Sequence, residues 1–264
     1  MLSRFRYRAV TIAVTLVTAG SFAFVAYANH SWGSYHWART ASSFTLKLGD
    51  NVTSAWDSYL SQASSDWSVS SVLDTTVVAG GTNSRNCKPI LGRVEVCNNR
   101  YGNNGWLGVA QIWANGNHIA QGTVKMNDTY FGTVRYNTPA WKRFVVCQEV
   151  GHTFGLDHQD ENFTNPNLGT CMDYTNDPSG ILYGQLSNEH PNQHDYDELE
   201  SIYAHIDTGT TVGQTTTRGG AETDGSDPGS WGKEIRRSHD GRGSLYERDF
   251  GHGKKVFTFV IWAQ

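Results

Sequence analysis

The sequence is poor in charge, proline and methionine. Only 17% of its 264 residues are Asp, Glu, Lys or Arg, against 38% hydrophobic, which excludes a charge-driven disordered chain. Basic residues are not in excess. The formal charge is −4, and a mildly acidic chain is a poor partner for nucleic acid. No internal repeat is visible, so a solenoid is excluded. No acid precedes Asp50, and beyond residue 28 no stretch has the length and hydrophobicity of a membrane span.

What is there begins with Arg4, Arg6 and Arg8, followed by an uncharged stretch from Ala9 to Ala28 that closes on Ala26-Tyr27-Ala28. A basic end, an apolar middle and a small-x-small close read as a secretory signal over residues 1–28, with a retained anchor as the alternative. Cleavage there removes the three arginines and takes the formal charge from −4 to −7. No stable membrane association is then expected, and the place of action is extracellular. Export also governs Cys87, Cys97, Cys147 and Cys171: an even number in an oxidising compartment predicts two disulfides, with three pairings open.

Residues 29–47 read as strand-like, with Tyr35, Trp37, Phe44 and Leu46 as alternating apolar positions. A helix capped by Asp50 or Asn51 is expected next, because Val52, Ala55, Trp56, Tyr59, Leu60 and Ala63 line one face. Val72 to Ala79, Arg93 to Val96, Trp106 to Trp113 and Ile119 to Met126 read as strands, the last two separated by an Asn-Gly turn. Thr138-Pro139 opens a second helix that buries Trp141, Phe144 and Val145 and stops at Gly155. After a long loop to Pro191, a third helix from Gln193 to His205 buries Tyr196, Leu199, Ile202 and Tyr203. Residues 207–230, rich in Thr and Gly, read as a flexible linker. Residues 231–264 read as three short strands, too few for a core of their own and expected to pack on the body. The expected class is α+β, with a main domain over 29–206.

The chemistry concentrates in Cys147-Gln148-Glu149-Val150-Gly151-His152-Thr153-Phe154-Gly155-Leu156-Asp157-His158. On a helix, positions 148 and 152 lie one turn apart on one face, with Glu149 beside them. Gly155 lets the chain leave the helix in a conformation other residues avoid, and His158 then swings back as a third ligand. Three ligands and an open position suit a catalytic zinc.

On Glu149, His152, Gly155 and His158, together with the turn Cys171-Met172-Asp173-Tyr174, the chain resembles the metzincin metallopeptidases, the group that includes matrixin, astacin and pappalysin types. The resemblance implies a twisted mixed sheet with two long helices above the site and a Met-turn and C-terminal helix below it. It implies a zinc endopeptidase that acts on a peptide or protein substrate through a metal-activated water, with Glu149 as general base. It also places Tyr174 where astacin-like members have a tyrosine that binds the metal or stabilises the oxyanion. The segment Ile119 to Val124 falls where the family's substrate-aligning edge strand is expected. A Cys147–Cys171 bridge would tie the active-site helix to the turn beneath the metal, leaving Cys87 with Cys97.

The departure is Gln148, which stands where the family has its first zinc-binding histidine. Three readings follow: Gln148 ligates through its amide oxygen, another side chain such as His118 or Asp157 completes the shell, or the chain is a non-catalytic binding or scaffold relative. Asp157, Asp160 and Glu161 form an acidic cluster that reads as a solvated loop or a calcium site. His190, His194, His205, His239 and His252 lack ligand spacing and read as surface residues. The chain is expected to act as a monomer.

Overall fold

The hydrophobic segments assemble into a mixed α/β fold in the computed structural model, which describes residues 30–215 and 227–264. The expected signal, residues 1–28, and residues 216–226 of the expected linker lie outside the described residues. Strands β1 (His36–Trp37), β2 (Phe44–Asn51), β3 (Leu73–Ala79), β4 (Val94–Asn99), β5 (Trp106–Asn115), β6 (His118–Asn127), β7 (Lys233–Arg237), β8 (Gly243–Asp249) and β9 (Lys254–Trp262) share one sheet. Its order is β3-β2-β4-β6-β5-β9-β8-β7, and β1 pairs with the start of β6. From β3 to β6 the neighbours run parallel, and from β6 to β7 each pair is antiparallel. Strand β5 is buried along all but its last residue, as a strand covered on both faces must be.

Helices α1 (Asp57–Trp67) and α3 (Pro139–His152) pack together, and the Trp67 indole donates to the Cys147 carbonyl at 3.1 Å. Thr138 caps α3 through Trp141 N–H, with Pro139 in the first turn. The helix lies so close to β5 that a Cβ on Gly108 would stand 2.6 Å from Val145 and 2.7 Å from Glu149. Helix α4 (Gln193–Ile202) starts from an Asn192–Asp195 capping box. A four-residue helix, α2 (Asp128–Phe131), follows β6 and was not expected; Asn127 caps it by accepting from Thr129 N–H.

Several expectations are corrected. Asp50 and Asn51 do not cap α1, because Asn51 donates to Glu95, accepts from Thr82 N–H and carries β2 onward, while Asp50 turns back on Val52 N–H. The third helix stops at Ile202. Ile119 to Val124 is not an edge, since β6 is flanked by β4 and β5. The described start of the expected linker is held to the body: Asp207 N–H donates to Arg39 O, Thr211 N–H to Ala38 O and Gly213 N–H to Gly92 O. His190 is at the surface as expected, paired with Asp66 at 2.7 Å, whereas His194 is half-buried beside the stacked His30 ring.

The C-terminal segment continues the sheet. Strand β9 runs antiparallel along β5 from Trp106 opposite Trp262 to Asn115 opposite Lys254. A second apolar cluster of Trp106, Val109, Trp231 and Val260 seals the join. Among the cysteines, Cys87 is bonded to Cys97 and Cys147 to Cys171. The second bridge spans 24 residues, worth roughly 3 kcal/mol by loop-closure entropy.

A Cβ on Gly151 would lie 2.7 Å from both Met172 Sδ and the Trp67 ring, all buried, so Gly151→Ala is expected to destabilise the fold by about 1–3 kcal/mol in chemical denaturation. Asp173, below α3, accepts from Leu168 N–H and Asn188 on one oxygen and has no partner on the other. Burial pushes its carboxyl up to about 7. The unfolded chain therefore releases this proton near pH 4 while the folded chain keeps it, so stability falls as pH rises from 4 to 7 and levels off above. Asp173→Asn is expected to leave stability near pH 4 unchanged and to raise it at pH 8 by on the order of a few kcal/mol.

Candidate metal centre beneath the C-terminal strands

Helix α3 ends inside the protein at His152, and its last carbonyl and the two that follow it need donors. Trp32 Nε1 donates to His152 O at 3.3 Å, Trp37 Nε1 to Thr153 O at 2.8 Å and the Tyr203 hydroxyl to Phe154 O at 2.8 Å. Gly155 then turns the chain at φ 102°, where a Cβ would also meet the Tyr35 carbonyl at 2.5 Å. These contacts return His158 to the face that carries His152.

The two imidazoles meet with Nε2 atoms 3.0 Å apart. His152 Nδ1 faces the Leu156 carbonyl at 2.9 Å and His158 Nδ1 faces Glu161 Oε1 at 3.3 Å; both partners only accept, so each Nδ1 carries the proton. In the neutral rings, two bare Nε2 lone pairs then point at each other. Such a pair calls for a cation between them. Gln148 Nε2 donates to Cys171 O at 2.8 Å, which orients the amide and leaves Oε1 buried without a partner. Glu149 accepts from Ala110 N–H, while its Oε2 is also buried and unpartnered. Burial raises the Glu149 carboxyl well above the usual range, and burial, followed by the repulsion a charge would meet beside His158, holds the His152 imidazole well below its own. Two imidazoles, each with its Nδ1 engaged by a hydrogen bond, are donors of the kind zinc takes, whereas the neutral Gln148 amide oxygen is a weaker one.

Met172 lies under the helix at Gly151. Tyr174 stacks on Phe163 and its ring centroid stands 4.1 Å from that of His158. Burial, then the Glu161 and Glu149 charges, push its phenol well above the ordinary range. The two substitutes for Gln148 are spent elsewhere. His118 lies at the start of β6 on Asp207, and Asp157 is held by a two-point contact with Arg236. The same guanidinium reaches Glu161 at 3.0 Å, so a cation already sits among the acids considered for calcium. Burial alone would raise Asp157; the Arg236 hydrogen bonds and charge outweigh it and leave the carboxyl low.

The C-terminal strands close the site, and no local sequence signal places them there. Phe259 of β9 stacks on His152, with centroids 4.2 Å apart and planes 12° from parallel. Gly243 of β8 lies on the Tyr174 phenol, where a Cβ would collide with the ring. Arg236 of β7 completes the cover. Alternation along Phe257-Thr258-Phe259 marked a strand, but nothing local named its neighbour.

No family model matches the chain, and no curated protein matches it. Among solved structures it is similar to high choriolytic enzyme 1, a hatching enzyme zinc-protease of the medaka fish Oryzias latipes, with a TM-score of 0.35 and 11% identity over 66% of this chain and 96% of that one. At that distance the reading of the site rests on its own residues.

Proposed function

We propose that the chain is an exported, zinc-dependent endopeptidase of the metzincin type whose substrate groove is filled by its own strands β7–β9. The observation that supports it most is the pair of facing Nε2 atoms 3.0 Å apart, each with its Nδ1 proton committed elsewhere. Gln148, His152 and His158 would hold the metal. What zinc supplies when bound is a more acidic water and a polarised scissile carbonyl.

Glu149 supplies the proton transfers. Its unpartnered Oε2 and raised pKa suit a carboxylate that takes a proton from the attacking water and passes it to the leaving amine. Tyr174, beside His158, donates its hydroxyl proton toward the oxygen that gains charge. Substrate aligns by main-chain pairing, and the strand that offers it is β5, whose outer edge now carries β9. Substrate and β9 therefore compete for one edge. Export agrees with the apolar stretch Ala9–Ala28 and the two disulfides.

A second reading, a binding or scaffold protein that keeps the fold without the chemistry, draws on two observations: the neutral amide at Gln148 and the Phe259 ring on His152. Zinc content and cleavage of an unstructured protein, measured on the purified chain and its variants, separate the two. The enzyme reading expects zinc that His158→Ala releases, and weak cleavage that rises about tenfold in Arg236→Ala, which loosens the cover, and is lost when Glu149→Gln is added. Gln148→His is expected to tighten zinc. If the natural chain and Arg236→Ala hold no zinc that His158→Ala releases and do not cleave, while Gln148→His gains both, the scaffold reading stands.

A further inference from the structure

Away from α3, three histidines and an aspartate converge where the sheet meets the segment that follows α4. The β1–β6 register sets His36 opposite His118, and the chain leaving α4 brings His205 and Asp207 onto them. None of these residues shares a local motif except His205 and Asp207, two positions apart.

Their polar atoms are arranged as metal ligands are. His36 is buried and its Nδ1 donates to Ser34 O at 2.8 Å, so its neutral ring presents a bare Nε2. That atom lies 3.3 Å from Asp207 Oδ1 and 3.0 Å from His205 Nε2, and His205 Nε2 lies 3.6 Å from the same Oδ1. Donors on a tetrahedral zinc, bonded at about 2.0–2.2 Å, stand about 3.3–3.5 Å apart, so the triangle already has nearly the right edges. Asp207 Oδ2 is occupied by Arg39 N–H at 3.0 Å, which leaves Oδ1 as the ligand oxygen. His118 Nε2, half exposed, reaches that Oδ1 at 3.2 Å.

The surrounding groups hold the donors in place. The Arg39 guanidinium donates to the carbonyls of Tyr203 and His205, fixing the turn that carries two ligands. Ser34 O and Arg39 N–H are the outer partners that set a ring and a carboxylate in a metal site. Imidazoles with a single carboxylate suit zinc, whereas calcium and magnesium require mostly oxygen.

We propose that His36, His205 and Asp207, with His118 turning in as the fourth donor, bind a zinc ion at a site separate from the α3 centre. The ion clips β1 to the chain beyond α4, two segments 171 residues apart. It binds the folded chain alone, so it stabilises the fold. The competing occupant of the same cluster is a proton on His36 that pairs with Asp207.

The test uses the full chain stripped with a chelator and titrated calorimetrically with zinc at neutral pH. In the His158→Ala background, which disables the α3 centre, one zinc per chain is expected. His205→Ala or Asp207→Asn should weaken it by more than the roughly 10–100-fold seen when only an outer partner is lost, and His118→Ala by less. Zinc should raise the Tm of His158→Ala and not that of His158→Ala with His205→Ala. In the otherwise unaltered chain, exposed His205→Ala should lower the zinc count by one and leave peptide cleavage in place. Absence of stoichiometric zinc in His158→Ala, confirmed by an unchanged zinc count in the His205→Ala single variant, overturns the proposal. So does binding that passes unchanged through both His205→Ala and Asp207→Asn. A count of one zinc that His205→Ala removes and His158→Ala does not would sustain this site while the α3 centre fails.

Discussion

Everything near the candidate centre depends on how the buried end of α3 is satisfied. A helix that stops inside a protein leaves carbonyls that water cannot reach, and each one left unpaired costs about 1–3 kcal/mol. Here two indoles and a phenol meet three successive carbonyls, those of His152, Thr153 and Phe154. The donors come from Trp32, Trp37 and Tyr203, so the start of the described chain and the end of α4 are drawn to one point. Gly155 can turn only because that end is fixed, and His158 meets His152 only because Gly155 turns.

The cover answers a different demand. Strand β5 is apolar on both faces and would present a long unpaired edge without β9, which is an aggregation hazard in any sheet. The pairing that removes the hazard also brings Phe259 over His152 and Arg236 over Asp157 and Glu161. Protection of the edge and closure of the site are one structural event, so whatever opens the groove must also expose β5.

The sequence carried those parts of this arrangement whose causes are local. The Thr138-Pro139 cap, the Asn-Gly turn and the alternation in the last segment all report their own surroundings, and α3, the β5–β6 hairpin and β7–β9 lie where those signals put them. Asp50 and Asn51 misled because a side chain that caps a helix equally well ends a strand, and Glu95 and Thr82, distant in sequence, decided between the two. The place of Ile119 to Val124 in the sheet was illegible for the same reason: edge or interior depends on partners. His152 and His158 announce themselves by spacing, whereas His36, His118 and Asp207 are joined only by the β1–β6 register and the path out of α4.

Strand β9 follows every other strand of the sheet in chain order, yet it lies between β5 and β8, well inside the sheet. During synthesis β5 and β6 can pair early through their two-residue turn, while the far side of β5 waits for more than a hundred further residues. The sheet is therefore completed from the middle, and the last insertion must enter a slot rather than add to a rim. Until β9 enters, that flank of β5 has no strand partner and His152 lacks the Phe259 ring that covers it.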